Sequence, residues 1–471
     1  MKKILFALTA LTVISSCKQE KETAEFNIIH NEKTERLDSL YTEHYKKGEF
    51  NGNVLVAENG DIIFQKSFGL ANEETKEKLN IETAFELASV SKQFTAMGIV
   101  QLQKESKLSY EDPISKYIPE LTNYEGITVL NLLEHTGGLP DYMMIMEKNW
   151  DKTQFATNES VIKLFQELQP EKDFEPGEKF RYSNTGYLLL GTIIERVSGK
   201  SFEAYLKEKI FSPLEMNNTF VYRRRYQPKE INNYALGYMY SDSLKRKILP
   251  DEKGKDFYCV YLDGIVGDGM VNSTLQDLFK WDRALYGNSL VNEEDKKLIF
   301  SYHQTNDGKE TGYGFGWFVK KDSLYGKVVY HSGGWAGYTT FIERQIDKDK
   351  TIILLQNNRT KLTKLPLINL RKILYDQPVE IPFTLDKNIL LKYAGEYDSG
   401  NGNIEKIEFE FDRLWSNTRY ELKPVSETKF NLIGFSPLVT FEFILDENEN
   451  VEKLRIQQTE TGVDETAIRE R

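Results

Sequence analysis

Phe85-Glu86-Leu87-Ala88-Ser89-Val90-Ser91-Lys92 is the stretch on which the reading of this chain turns. It places a hydroxyl and an amine three residues apart, one helical turn, on the same face. Apolar residues at Val90, Phe94, Met97 and Leu102, with Ile99 and Val100 filling in, predict a helix over 89–104 with a wide buried face. A serine at its ordinary pKa is a poor nucleophile and needs a neighbour to take its proton. Lys92 suits that task if the apolar face buries it, because burial disfavours an ammonium. On the surface it would be an ordinary snorkelling lysine. Ser160-Val161-Ile162-Lys163 and Ser426-Glu427-Thr428-Lys429 share the spacing, so context has to choose between them.

Acyl transfer needs more than a nucleophile: a proton acceptor, a donor to the leaving group and an oxyanion site. A serine at a helix start has backbone N–H groups and the positive dipole end aimed at a reacting carbonyl. Tyr182-Ser183-Asn184 supplies a second element. In an extended Tyr-x-Asn both outer side chains face one side. A phenol beside a lysine can carry the serine proton onward, and Asn184 can hold the lysine or a substrate amide. Tyr286-Gly287-Asn288 has the same spacing but reads as a turn. His331-Ser332-Gly333 ends a strand-like run and is the third element. Its imidazole could bind a substrate carboxylate or tune the phenol, and its glycine permits close backbone approach. His135-Thr136-Gly137 is the decoy of this pattern, following a helix instead of a strand. For either histidine the plain alternative is a satisfied structural side chain.

The chain start carries an address. Lys2 and Lys3 precede an apolar run over 4–14 and then Ser15-Ser16-Cys17. This is the pattern of a signal peptide over 1–16, too short to span a bilayer as a helix. Ile14-Ser15-Ser16-Cys17 resembles a bacterial lipobox. That resemblance implies lipidation of Cys17 and an exported, membrane-anchored lipoprotein facing the periplasm or cell surface. Cys259 would then be the sole thiol on the body, with no disulfide framework. Residues 17–36 are polar and read as a flexible tether.

With 471 residues, 40% hydrophobic and 28% charged, the chain has room for two or three globular domains. A net charge of -11 and the lack of a basic stripe exclude nucleic acid as an expected partner. The five histidines are scattered, with no HExxH, CxxC, Walker loop or GxGxxG after a strand, so neither metal nor cofactor is implied. Nothing sets an oligomeric state.

Asn59-Gly60 between runs 53–57 and 61–65 predicts a hairpin. Helices are predicted over 128–134 and 187–197, with Gly199 as a stop. Runs 327–331, 338–344 and 351–356 predict an antiparallel meander, followed by a helix near 365–374. Strands from both ends of the region suggest one mixed sheet with an inserted helical lobe, an α+β fold. Pro378 and Pro382 mark a linker over 376–387. Beyond it, alternation over 404–411, 419–422, 428–432, 440–445 and 453–457 predicts a small antiparallel β-barrel-like domain over 388–471.

Five segments in order carry a resemblance: the opening stretch, Leu132-Leu133-Glu134-His135-Thr136-Gly137-Gly138-Leu139-Pro140, Pro176-Gly177-Glu178-Lys179-Phe180-Arg181-Tyr182-Ser183-Asn184, Gly267-Asp268-Gly269-Met270-Val271 and His331-Ser332-Gly333-Gly334. Residues 37–375 resemble the serine β-lactamase and penicillin-binding protein superfamily, in its class C-like branch. Tyr393-Ala394-Gly395-Glu396-Tyr397 opens a tail similar to the lipocalin-like domain appended to such hydrolases. The resemblance implies Ser89, Lys92 and Tyr182 as catalytic residues and Asn184, His331, Ser332 and Gly333 as substrate-binding. It also implies the N–H groups of Ser89 and Gly334 as oxyanion hole. Familiar class C β-lactamases carry Lys-Thr-Gly at the third element. His-Ser-Gly is more similar to D-Ala-D-Ala peptidases, D-aminopeptidases and esterases. The expected activity is a serine hydrolase acting on a small peptide, amide or ester, with β-lactamase or a non-catalytic penicillin-binding sensor as alternatives. Tyr142, Trp150, Tyr258, Tyr261, Tyr313 and Trp335, from loops near 139–160, 222–265 and 302–313, are candidates to line the pocket, with plain packing the competing fate of each.

Overall fold

The computed structural model describes residues 26–400, 402–458 and 460–470, so the signal segment and Cys17 lie outside the described residues. Its contacts divide the chain into two compact units, one ending at Arg359 and one from Thr360 to Arg471.

The first unit is built on a six-stranded antiparallel sheet. The strand order is Asp61–Phe68, Gly52–Glu58, Lys350–Gln356, Tyr338–Gln345, Gly326–Trp335, Phe318–Asp322. The predicted hairpin turns at Asn59 and Gly60, both at positive φ (54° and 85°), the backbone a two-residue hairpin requires. Its inner strand pairs with the last strand of the meander, Gly52 opposite Gln356 and Glu58 opposite Lys350, which joins the two ends of the unit in one sheet. The Lys350–Gln356 strand is buried at nearly every position, as its unbroken apolar run Ile352-Ile353-Leu354-Leu355 requires.

Between the hairpin and the meander lies the helical lobe, centred on helices Lys92–Lys104 and Asn184–Ser198. The second ends at Gly199, φ 67°, the stop that the sequence predicts. Both helices are buried along most of their length, so both belong to the core.

One expectation needs correcting. Residues 26–36 fall in the predicted tether, yet they are folded. Ile29 N–H donates to Ile62 O at 2.9 Å and Ile62 N–H to Asn27 O at 2.9 Å. Asn31 then caps helix Glu32–Lys46 in a reciprocal box with Thr34. The helix is retained because Leu37 and Tyr41 are fully buried, Tyr41 among Phe50, Phe64 and Phe68. A polar segment becomes ordered when the residues after it have a core to enter.

The second unit is a closed eight-stranded barrel, Gly395–Asp398 through Val463–Arg469, shut by the pairing of Tyr397 with Arg469. The five predicted strands are all present. Three others were not legible: Gly395–Asp398 and Arg413–Ser416 have only four residues each, and Val463–Arg469 buries Ala467 alone among exposed neighbours. Helix Lys387–Tyr393 precedes the barrel and sends Leu390 and Tyr393 into its core.

Candidate active site

Ser89 sits in a tight 3-10 turn, Ala88–Ser91, which runs directly into helix Lys92–Lys104. The sequence predicts an α-helix start here; the turn is sharper than that. Ala88 takes φ 49°, a left-handed conformation that costs an alanine about 1–2 kcal/mol. The surroundings hold it there. Leu87 N–H donates to Val271 O at 2.9 Å, Thr340 Oγ1 donates to Leu87 O at 2.7 Å, and Val271 N–H donates to Ser91 Oγ at 3.1 Å. Ser89 is half-buried between buried neighbours, so its hydroxyl stays accessible on an immobile support.

Gly333 explains how strand Gly326–Trp335 approaches that turn. A Cβ at 333 would overlap Thr340 Oγ1 and Leu87 O and press on Ala88. The Gly333→Ala protein is therefore expected to lose about 1–3 kcal/mol of stability and at least tenfold in acylation rate. Urea denaturation, together with the rate of labelling by a fluorophosphonate, checks both.

Lys92 is 0% exposed, the burial that the expected role of proton acceptor requires. Its Nζ donates to the Asp268 carbonyl at 2.7 Å and to Asn184 Oδ1 at 2.9 Å, and lies 3.3 Å from Ser89 Oγ. The two lysines of the competing Ser-x-x-Lys stretches are solvated instead, Lys163 at 74% and Lys429 at 48% side-chain exposure. Lys92 Nζ also stands 5.1 Å from the Tyr182 ring centre.

Tyr182 and Asn184 flank Ser183, which caps helix Asn184–Ser198 by accepting from Gly186 N–H at 3.1 Å. Ser183 is extended (φ -131°, ψ 114°) and the helix starts at Asn184, so the predicted extended segment ends at Ser183. That residue turns away to cap the helix, and its two neighbours turn toward Lys92. Tyr182 Oη is buried and has no hydrogen-bond partner among the described residues, an arrangement costly for a structural tyrosine and fitting for one that handles a transferred proton.

His331 is where the expectation shifts. Its strand is internal, lying between Phe318–Asp322 and Tyr338–Gln345, and the ring is buried. Nδ1 lies 2.7 Å from Ser332 O and so carries the proton; Nε2 accepts from Tyr313 Oη at 3.1 Å. Burial first, then the Lys92 charge, pushes its pKa down to about 3. A neutral, enclosed imidazole has nothing to offer a carboxylate. It stands 5.9 Å from the Tyr182 ring and is not among the residues lining the cleft. Ser332 is exposed, while Gly334 joins Ser89 on the wall of the cleft, as an oxyanion pair must.

That cleft has a volume of about 240 Å³, and Ser89, Asn184, Asp268 and Gly334 meet in it. Of the six candidate aromatics, Tyr142, Tyr258 and Trp335 line it; Trp150, Tyr261 and Tyr313 do not. Tyr142 Oη donates to Asp268 Oδ2 at 3.0 Å, and Trp335 meets Tyr258 edge-on at 5.1 Å. Glu86 and Asp268 are wall residues that sequence reasoning quoted only as motif neighbours.

His135, set aside as a decoy, is a further omission. Arg181 N–H donates to its carbonyl at 3.0 Å and Ser183 N–H donates to its Nδ1 at 3.0 Å, so one residue holds the backbone on both sides of Tyr182. Its ring lies 4.4 Å from the Tyr182 ring. Burial, the Lys92 charge and His331 hold its pKa well below the usual histidine range, which keeps Nδ1 free to accept.

The model of the family described as "Beta-lactamase" matches residues 37–375. The chain belongs to the beta-lactamase family. Over 430 residues it is 41% identical to Penicillin-binding protein 4* of Bacillus subtilis, covering 88% of this chain and 95% of that one. It is 28% identical over 338 residues to Protein flp of Staphylococcus aureus (strain MW2), 69% of this chain and 64% of that one. Among solved structures, an octameric penicillin-binding protein homologue from Pyrococcus abyssi is 25% identical with a TM-score of 0.66, covering 92% of this chain and 99% of the other. A D-amino acid amidase from Ochrobactrum anthropi shares the fold at 22% identity, with a TM-score of 0.60 and coverage of 74% and 99%. In this beta-lactamase family member the third element departs from Lys-Thr-Gly, and the structure gives that departure a physical form: a neutral histidine behind the tyrosine.

Proposed function

We propose that this chain is a serine hydrolase that turns over peptide, amide or ester substrates through an acyl-enzyme on Ser89. D-amino-acid peptides lead, carboxylesters follow, and β-lactams come third. The observation that carries the reading is Lys92, fully buried and placed at once against Ser89 Oγ, Asn184 Oδ1 and the Asp268 carbonyl. Ser89 Oγ gives its proton to the Lys92–Tyr182 pair and attacks the substrate carbonyl. The oxyanion is received by the N–H groups of Ser89 and Gly334. The proton then passes to the leaving group as the C–N or C–O bond breaks. Water reverses the sequence and frees Ser89. The kinship to Penicillin-binding protein 4* supports an acylating serine. The neutral His331 speaks against a substrate held by its carboxylate at the third element. Lys2, Lys3, the apolar run over 4–14 and Cys17 support export and a lipid anchor.

Intact-mass measurement of the exported protein with a fluorophosphonate, a penicillin and a D-Ala-D-Ala thioester tests this. Acylation by the fluorophosphonate and turnover of the thioester are expected in wild type, with a mature mass that starts at a lipidated Cys17. A lasting penicillin adduct favours the peptidase side; prompt release of opened drug favours β-lactamase. Failure of all three probes removes the enzyme reading.

A further inference from the structure

The cleft beside Ser89 has a charge character of its own. Its polar side chains include Glu86, Asp268 and Asn184, and no lysine, arginine or histidine is among its lining residues. Glu86 lies on the two-residue strand Phe85–Glu86, three positions before Ser89, with its backbone fixed opposite Asn272. It is only 6% exposed, yet its carboxyl makes no hydrogen bond or ion pair with the described residues. A buried carboxyl normally finds a partner. Here the surface it retains faces the cleft. Burial, with Asp263 nearby, raises its pKa to about 8 against the pull of Arg225 and Arg224. Asp268 lies on the same wall with one oxygen engaged by Tyr142. The Arg359 guanidinium donates to the Trp335 carbonyl at 3.3 Å and is not among the lining residues.

We propose that Glu86, backed by Asp268, forms a subsite for a substrate ammonium group, so that the enzyme favours acyl donors with a free amine over acylated or carboxylate-bearing ones. The inference rests on the acyl-enzyme reading of Ser89 and narrows it to aminoacyl amides, esters and peptides with an open N-terminus. The missing partner of Glu86 is then the ligand itself. Met143, Leu262, Ile265 and Met270 give the same cleft an apolar wall for the side chain that the aminoacyl group carries. A carboxylate in this space would meet no lysine, arginine or histidine among the lining residues.

Competitive inhibition is the test. Full-length protein hydrolysing p-nitrophenyl acetate is titrated with D-alaninamide, N-acetyl-D-alaninamide and N-succinyl-D-alaninamide. The free amine is expected to inhibit at roughly tenfold lower concentration than the other two, or less, the size of one hydrogen bond to a charged group. In Glu86→Gln that preference is expected to fall to about twofold or less. Equal inhibition by the three amides in wild type, or an undiminished preference in a folded Glu86→Gln protein, overturns the subsite and leaves the hydrolase reading standing. The wild-type comparison decides the matter if the variant does not fold. No ester hydrolysis and no fluorophosphonate labelling in wild type removes the hydrolase reading, and the subsite with it.

Discussion

Ser89→Ala is expected to lower kcat/KM for every acyl substrate by at least about 10⁴-fold and to abolish probe adducts, with folding unchanged. The size follows from the chemistry: with Oγ gone there is no atom to form the acyl bond, and only the oxyanion groups and binding remain. Unchanged folding follows from the structure. Ser89 is half-buried, its Oγ hydrogen-bonds to the Lys92 amine alone among the described residues, at 3.3 Å, and the strained turn is held by Leu87, Ser91 and Thr340. The midpoint of urea unfolding is therefore expected to stay within the range of a neutral substitution. Steady-state kinetics and intact mass provide the check. Residual turnover within tenfold of wild type would show that another residue carries the acyl group.

Lys92→Met is expected to cost about 10³- to 10⁴-fold in acylation rate, with a stability change of about 2 kcal/mol or less in either direction. Two effects oppose each other in the stability. Removing a buried amine relieves its desolvation, but it strips a donor from Asn184 Oδ1 and the Asp268 carbonyl. The rate has no such compensation, because a thioether cannot accept the Ser89 proton. Lys163→Met is the matched control: the same Ser-x-x-Lys spacing, but 74% side-chain exposure, and so no expected change in rate. Pre-steady-state labelling of the three proteins decides it. A Lys92→Met protein that acylates at the wild-type rate would leave Tyr182 or a solvent path as the base.

The elements of this site were legible in the chain to different depths, and the reasons are physical. Ser89 and Lys92 are neighbours in sequence, and helical periodicity around them announces burial. The Asn59-Gly60 turn follows from local backbone chemistry alone. Asp268 contacts Lys92 across 176 residues, a distance no local pattern reports. His135 was discounted because a histidine after a helix resembles a structural loop residue. Its work is done through a backbone carbonyl and a ring nitrogen, and neither leaves a periodic signature. Glu86 belongs to a two-residue strand, too short for alternation to say which way it faces. His331 is legible as a candidate, but the choice between its two expected roles, binding a carboxylate or tuning the phenol, is not. A strand-like run gives no sign of whether its strand lies at the edge or the interior of the sheet, and the interior position makes this imidazole neutral.

The closed barrel of the second unit has a consequence for what that unit can do. Eight strands enclose a space that side chains fill or that one small guest occupies, not both. Here Tyr393 and Phe443 stack at 4.3 Å, Phe430 meets Phe443 at 5.4 Å, and Leu414, Leu422 and Leu454 close the remainder at near-zero exposure. The helix that precedes the barrel plugs it with Leu390 and Tyr393. Among the described residues, the interior of this barrel is therefore packed by its own side chains. Substitutions on the outer face, where the strands alternate to exposed side chains, leave the interior that keeps the barrel shut undisturbed.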